Sequence, residues 1–379
     1  MAQSKTTKEL NVLQIVPQLK IGGVERGVID LFRYLNKKKI KNYILCENFS
    51  YDLFSKTEID KIISCEPLKF KDLTNYFNLN RLLKKIIIEK KINLIHIASR
   101  APALIFYRLL KHTPEIKYIS SFHNPYSGSF IKKYYNSFLL KGNNVICNSH
   151  FTKEFILNNF NISNKKLIAI PRGIDLKYFN PKIFDQRNLN KIKYKLKISS
   201  EDIIISIPSR FSKWKGHNQL IEFLNKQPSN LIKKLKIIFF IDKKKSNQKY
   251  VMSLSNDLLN KRIIFLNLTK DIREIYAISD LVVSSSTKPE GFGRTISEAL
   301  AMNCIPIGVN HGGVKEQLED FDKKLLFNLN DQKSFNSSLE YALNALKTKK
   351  FSGRSYVKKK YSLEIMLKST LDIYLNDKQ

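Results

Sequence analysis

At 379 residues the chain is long enough for two domains, and 43% apolar residues can fill their cores. Lys and Arg number 66 against 33 acidic residues, a formal charge of +33, which excludes an acidic solvating tail and a low-hydrophobicity disordered chain. Only 12 of those 66 are Arg, and Asn and Ile are abundant, so the charge reads as compositional bias as much as a sign of an anionic partner such as nucleic acid or membrane.

The start of the chain, Met1 to Glu9, is polar and has no signal-peptide core, and no stretch reaches 18 uncharged apolar residues, so no transmembrane helix is expected. Asn11 to Val16 reads as a buried strand. Gly22-Gly23 follows, then a helical pattern over Val24 to Asn36. Tyr43 to Glu47 reads as a strand, Arg81 to Lys90 as a helix, and Leu94 to Ala98, Ile116 to Phe122 and Asn144 to Asn148 as strands. Phe151 to Asn159 is helical and Leu167 to Ile170 a strand. The Lys- and Asn-rich stretch Asn180 to Ser200 has no clear strand and suits a boundary or hinge. A second series follows: strands at Ile203 to Pro208, Lys236 to Ile241, Ile263 to Leu266, Leu281 to Ser284 and Cys304 to Val309. Helices fit at Asn218 to Leu224, Asp271 to Ile278, Thr295 to Met302 and Ser362 to Leu375. Alternation of this kind implies parallel sheets covered on both faces, with ligands beyond the carboxyl ends of the strands. Domains are expected at 1–180 and 181–361. Four scattered cysteines (Cys46, Cys65, Cys147, Cys304) form no zinc spacing or disulfide framework and suit a reducing compartment.

Five segments can carry chemistry. Gln18 to Glu25 is a strand-to-helix turn in which Gly22 and Gly23 let backbone amides approach a ligand; an ordinary turn looks the same. Ser209 to Gly216 brings Arg210 and Lys215 to one loop after a strand, a fork and a point charge suited to a diphosphate, or simply a solvated basic loop. Pro289 to Leu300 holds Glu290 and Glu298 around Gly291-Phe292-Gly293, with Thr295 as a candidate N-cap that would put Glu298 in the first helical turn; Thr295-x-x-Glu298 is equally a capping box. His123, after a strand, can bond into a cleft or act as a base, although a lone His is more often structural. His311-Gly312-Gly313-x-x-Glu316 reads as a glycine turn opening a helix.

In this order, the segments resemble the retaining nucleotide-sugar glycosyltransferases of family 4, from about Asn11 to about Leu375. The carriers are Gly22-Gly23, Phe122-His123, Asn148-Ser149-x-Phe151-Thr152, Ile170-Pro171-Arg172-Gly173-Ile174-Asp175, Arg210 with Lys215-Gly216, Glu290 to Glu298, and Gly312-Gly313-x-x-Glu316. The resemblance implies an α/β GT-B fold: two Rossmann-like doubly wound domains facing a central cleft, the last helix (about 362–379) crossing back to the first. It implies that Arg210 and Lys215 neutralise a diphosphate and Glu298 bonds the ribose. Glu290 with the amides of Phe292 and Gly293 would hold the sugar, Gly291 and Arg294 completing that loop. Gly22 and Gly23 would approach donor phosphates or acceptor, and His123 would reach a sugar hydroxyl. The expected reaction is metal-independent, retaining transfer from a UDP- or GDP-sugar to a glycan or lipid-linked acceptor in bacterial envelope polysaccharide or lipopolysaccharide synthesis. The nucleotide sugar is a substrate, so no cofactor and no metal are expected.

Several positions depart from the family pattern. Phe239 to Lys245 stands where a glycine-rich turn near the base is usual, which puts base recognition in doubt. Ser209 replaces a common Gly, Arg172 a common Asn, and Arg294 is a variant associated with bacterial envelope polysaccharide and lipopolysaccharide core enzymes. A GT-B nucleotide-sugar epimerase and a basic nucleic-acid-binding protein are the competing readings; the paired Glu and the Arg–Lys loop disfavour the first. No binding motif or basic stripe supports the second, so no nucleic-acid partner is expected. The expected location is cytoplasmic, with Lys37-Lys38-Lys39 and Phe130-Ile131-Lys132-Lys133-Tyr134-Tyr135 as candidate faces for an anionic inner membrane surface; a solvated Lys-rich surface is the plain alternative.

Overall fold

The computed structural model describes residues 9–20, 22–125, 128–240, 245–267, 271–348 and 351–376. Met1 to Lys8, Ile21 and most of the Phe239-to-Lys245 loop therefore lie outside the described residues. The chain divides into two compact units: residues 1–171 with 366–379, and residues 172–365.

In the first unit seven parallel strands form one sheet: β1 Asn11–Ile15, β2 Lys41–Cys46, β3 Ile62–Ser64, β4 Leu94–Ile97, β5 Lys117–Phe122, β6 Asn144–Cys147 and β7 Leu167–Ala169. Their spatial order is β3-β2-β1-β4-β5-β6-β7, a doubly wound sheet whose direction of growth reverses between β1 and β4. All five residues of β1 are buried, as expected of a parallel strand covered on both faces. Helix Gly23–Lys37 turns Val28, Ile29, Leu31, Phe32 and Leu35 inward. The helix expected from Arg81 begins at Leu73: Asp72 caps it by accepting from the Asn75 N–H at 2.7 Å, and the apolar spacing is missing from that first stretch because Leu73 and Phe77 face solvent. Helix Arg100–Lys111, which periodicity alone did not reveal, buries Ala103, Ile105, Phe106, Leu109 and Leu110.

The final helix, Leu363–Leu375, spans the join between the units. Its later part belongs to the first unit. There the Tyr374 hydroxyl lies 2.6 Å from His96 Nδ1, whose Nε2 lies 2.7 Å from Ser121 Oγ. Lys117 Nζ donates to the carbonyls of Ile373 (2.7 Å) and Asn376 (2.6 Å), satisfying the helix's carboxyl end.

In the second unit the strands are β8 Ile203–Arg210, β9 Leu235–Phe240, β10 Ile263–Leu266, β11 Leu281–Ser284, β12 Ile305–Val309 and β13 Leu326–Phe327. They lie in the order β10-β9-β8-β11-β12-β13, again parallel and again reversing direction, here between β8 and β11. The unit starts before the sequence-expected boundary at 180, because Ile174 and Phe179 are buried in its core and the Ile174 N–H donates to the Tyr361 carbonyl at 2.8 Å. The stretch expected as a hinge holds the helix Gln186–Lys195, capped by Asp185 and anchored through the buried Leu189. One apolar anchor in ten residues is too weak a pattern to read from sequence.

Candidate active site

In the second unit β8 carries a register shift after Ile207 and ends at Arg210, paired with Phe240. Arg210 is exposed there and makes no ion pair among the described residues. The chain then makes a single turn, Lys213–Lys215, and passes through Gly216 at φ 71°, in the left-handed region. A Cβ on Gly216 would sit 1.7 Å from the Ser285 carbonyl oxygen, so only glycine lets this turn press onto the segment leaving β11. The contact is fixed by the Thr287 N–H donating to the Trp214 carbonyl (2.7 Å) and by Ser285 Oγ donating to the Lys215 carbonyl (3.1 Å). Gly216→Ala is therefore expected to lower the thermal unfolding midpoint. The left-handed backbone alone costs an L-residue roughly 1–2 kcal/mol, and the overlap with Ser285 adds to it. An unchanged midpoint in a calorimetric scan would contradict this packing.

That docking joins residues far apart in sequence. Lys215 Nζ lies 2.9 Å from Glu290 Oε1, with side chains only 18% and 15% exposed, and 4.2 Å from the centroid of the Trp214 ring. Ser286 Oγ donates to the same carboxylate oxygen. Glu290 is held from the other side by the helix Gly312–Asp322. The Gly313 N–H donates to the Glu290 carbonyl at 2.8 Å, and a Cβ on Gly313 would fall 2.5 Å from Phe292 Cα. Gln317, fully buried, donates through Nε2 to the carbonyls of Phe292, Gly293 (3.2 Å) and Gly313 (3.0 Å), and accepts from Ser297 Oγ. The N–H groups of Phe292 and Gly293 make no hydrogen bond among the described residues. Gln317 was not singled out in the sequence; an amide one turn beyond the glycine pair is its only local signal.

The helix after this loop, Arg294–Ala301, starts from Gly293 at φ 80°. Thr295 is thus inside the helix and caps nothing, and Glu298 lies beyond the first turn: the expected cap and capping box do not form. The left-handed Gly293 is itself the N-cap, so the loop ends two residues too early for Thr295 to take the extended cap conformation. Released from that role, Glu298 accepts from Arg294 Nε (Oε1, 3.0 Å) and from the Tyr276 hydroxyl (Oε2, 3.0 Å). Tyr276 is fully buried. Burial first, and the Glu298 charge second, hold its hydroxyl protonated far above the usual phenol range, so it stays a donor. It too escaped sequence analysis.

Under the same loop lies His217, 1% exposed and flanked by the rings of Phe211 (4.8 Å) and Phe239 (5.5 Å). Burial, then the charge of Lys215, push its imidazole down to about 4. His311 Nε2 lies 2.8 Å from the Ser286 carbonyl oxygen, tying the Gly312 helix start to the Glu290 loop. Arg210 at the end of β8, Lys215 on the loop after it and Glu290 on the segment leaving β11 thus lie at the strand-order reversal of this unit, where doubly wound sheets bind ligands. Among the described residues no three His, Cys, Asp or Glu side chains gather at one point.

In the first unit Gly22 is extended (φ −162°) and precedes helix Gly23–Lys37; Glu25 folds back over it, its Oε2 occupying the place of a Cβ. His123 directly follows β5 and is 8% exposed. Its carbonyl accepts from Asn148 Nδ2 at 2.6 Å, Asn148 Oδ1 accepts from Thr152 Oγ1 at 2.8 Å, and Ser149 Oγ caps helix His150–Asn159. The Asn148-Ser149-x-x-Thr152 pattern is therefore a scaffold that fixes the backbone of His123.

Two family models match the chain: Glycosyltransferase Family 4 over residues 21–178 and Glycosyl transferases group 1 over residues 189–354. The crystal structure of a glycosyltransferase from Rickettsia africae is 31% identical, with a TM-score of 0.84 over 98% of this chain and 100% of that one. Anabaena HepE, solved with UDP and glucose, shares the fold at 17% identity, with a TM-score of 0.78 over 96% and 99% of the two chains. Spore coat protein SA of Bacillus subtilis is 24% identical over 242 residues, 61% of this chain and 63% of that protein, so the match spans less than two thirds of that relative. Both halves match in order, and a relative at 31% identity aligns end to end: the chain belongs to the family 4-type glycosyltransferases of the GT-B fold.

Proposed function

We propose that the protein transfers a sugar from a UDP- or GDP-sugar to a glycan or lipid-linked acceptor, with retention at the anomeric carbon and without a metal. The assigned setting is bacterial envelope polysaccharide or lipopolysaccharide synthesis at the inner face of the cytoplasmic membrane. The observation that carries the reading is the pairing of Lys215 with Glu290 on the segments leaving β8 and β11, with Arg210 at the end of β8. Breaking the glycosidic bond leaves a diphosphate with growing negative charge. In this reading Arg210 and Lys215 meet that charge. Glu290 is assigned to the hydroxyls of the transferred sugar, with the N–H groups of Phe292 and Gly293 beside it. Glu298, steadied by Tyr276 and Arg294, is assigned to the ribose hydroxyls. Gly22 and Gly23 are assigned to the acceptor or donor phosphates and His123 to a sugar hydroxyl. In this scheme the departing phosphate takes the acceptor's proton, so no second carboxylate is needed as a nucleophile.

The test is thermal unfolding with UDP, GDP, ADP and their sugars. One diphosphate is expected to raise the midpoint, corresponding to about 2.7 kcal/mol at a hundredfold excess over Kd. Glu298→Ala is expected to remove most of that response. A wild-type protein indifferent to all of them would overturn the donor assignment, and an undiminished response in Glu298→Ala would overturn the ribose role.

A further inference from the structure

Helices Leu73–Glu89 and Arg100–Lys111 and the turn Phe138–Leu140 after helix Phe130–Ser137 feed one core cluster, so they cover the same face of the first unit's sheet. In that layer two stretches keep large apolar side chains in water. Helix Phe130–Ser137 turns Asn136 inward, where it accepts from Arg100 at 3.1 Å, and leaves Phe130 84%, Ile131 78% and Tyr134 63% exposed. These three stand at helical positions i, i+1 and i+4, on one side of the helix. At the head of helix Leu73–Glu89, Phe70, Leu73 and Phe77 are 55%, 66% and 62% exposed. Single exposed apolar residues are ordinary, but two triplets of this size in one helical layer mark an interaction surface.

The charge around the first triplet points to the partner. Lys132 and Lys133 sit exposed within the first triplet; beside the second, exposed Lys69 and Lys71 are balanced by exposed Glu66 and Asp72. No acidic residue occurs between Glu115 and Glu154. A helix whose outward side carries aromatic and aliphatic tips flanked by lysines matches the boundary between anionic headgroups and acyl chains.

We propose that these two patches form the surface by which the protein rests on an anionic lipid bilayer. The Phe130, Ile131, Tyr134, Phe70, Leu73 and Phe77 side chains enter the headgroup–acyl boundary and the lysines meet lipid phosphates. The proposal names the partner for the membrane setting proposed above and rests on that part of the reading; it does not depend on the identity of the donor.

Flotation of the full-length protein with vesicles of phosphatidylcholine, alone or mixed with phosphatidylglycerol, tests it. The wild type should float with the mixed vesicles at low salt, less at high salt, and hardly with phosphatidylcholine alone. Phe130→Ser with Ile131→Ser, and separately Phe70→Ser with Phe77→Ser, should each weaken partitioning roughly 10- to 100-fold, since both lose buried apolar surface. Lys132→Glu with Lys133→Glu should remove the preference for phosphatidylglycerol. Equal recovery with both lipids, or serine variants that float like the wild type, would overturn the proposal. So would a wild-type dimer in analytical ultracentrifugation that the serine variants dissolve, since the patches would then serve a second copy of the chain. The nucleotide-diphosphate response of the serine variants separates the two readings. Lost flotation with that response intact is the expected pattern, whereas normal flotation of a wild type that binds no nucleotide would overturn only the donor assignment.

Discussion

Arg210→Ala is expected to lower turnover by about two to three orders of magnitude, or roughly 3–4 kcal/mol in barrier, the scale of losing one preorganised group that meets charge in the transition state. Its unfolding midpoint should stay at the wild-type value, because Arg210 is exposed and holds no ion pair among the described residues. Lys215→Ala should behave differently. Lys215 is mostly buried against Glu290, so its loss leaves a carboxylate at 15% exposure with Ser286 as its remaining side-chain donor among the described residues. That variant should lose both turnover and stability. Measuring kcat, KM and the midpoint for both variants distinguishes the two roles. An unchanged rate in Arg210→Ala would remove Arg210 from the reaction, and a fully stable Lys215→Ala would mean that the Lys215–Glu290 contact does not hold the loops together.

The second large effect concerns pH. His217 is held neutral in the folded protein, its imidazole pushed from its usual 6.5 down to about 4. As pH falls, the unfolded chain takes up this proton first, so stability is complete above the unfolded value near 6.5 and drains away between 6.5 and 4. The lost stabilisation is on the order of 3 kcal/mol, since each pH unit in that window removes about 1.4 kcal/mol. Lys215 is the charged group that acts on the ring, and it disfavours the imidazolium in the same sense as burial. Trp214, the single tryptophan, lies three residues away and 41% exposed, so its fluorescence follows this loop during urea unfolding. The wild type should lose about 3 kcal/mol more between pH 7 and pH 4 than His217→Gln does. Equal losses would show that the ring titrates normally.

Much of this architecture could be read before any coordinates. Buried parallel strands are continuous apolar runs, and those at Asn11, Leu94, Ile203 and Leu281 announce themselves that way. The candidate site residues Arg210, Lys215, Glu290 and Glu298 come soon after such runs, which is why they could be named. Helices were harder. Gln186–Lys195 has one buried anchor, and the first turns of Leu73–Glu89 show apolar residues to solvent, so neither displays the spacing of a core-facing helix. Thr295 shows the limit of local signals. Thr-x-x-Glu fits a capping box, yet the left-handed Gly293 decides where the helix starts.

By itself, then, the sequence determined the class of fold, the alternation of its long buried strands with helices, and a short list of charged residues near strand ends, because these depend on patterns within a few residues of one another. Tertiary structure alone decided the pairings. Lys215 meets Glu290 across 75 positions because a left-handed Gly216 fits against the Ser285 carbonyl. Tyr276 reaches Glu298, Gln317 gathers two carbonyls of the Glu290 loop and one of its own helix, and Lys215 together with burial keeps His217 neutral. The unit boundary moved to Pro171 for the same kind of reason, since Ile174 and Phe179 complete a core whose other members lie far along the chain. Close packing and the pairing of buried polar groups depend on separations in space, which neither composition nor periodicity encodes.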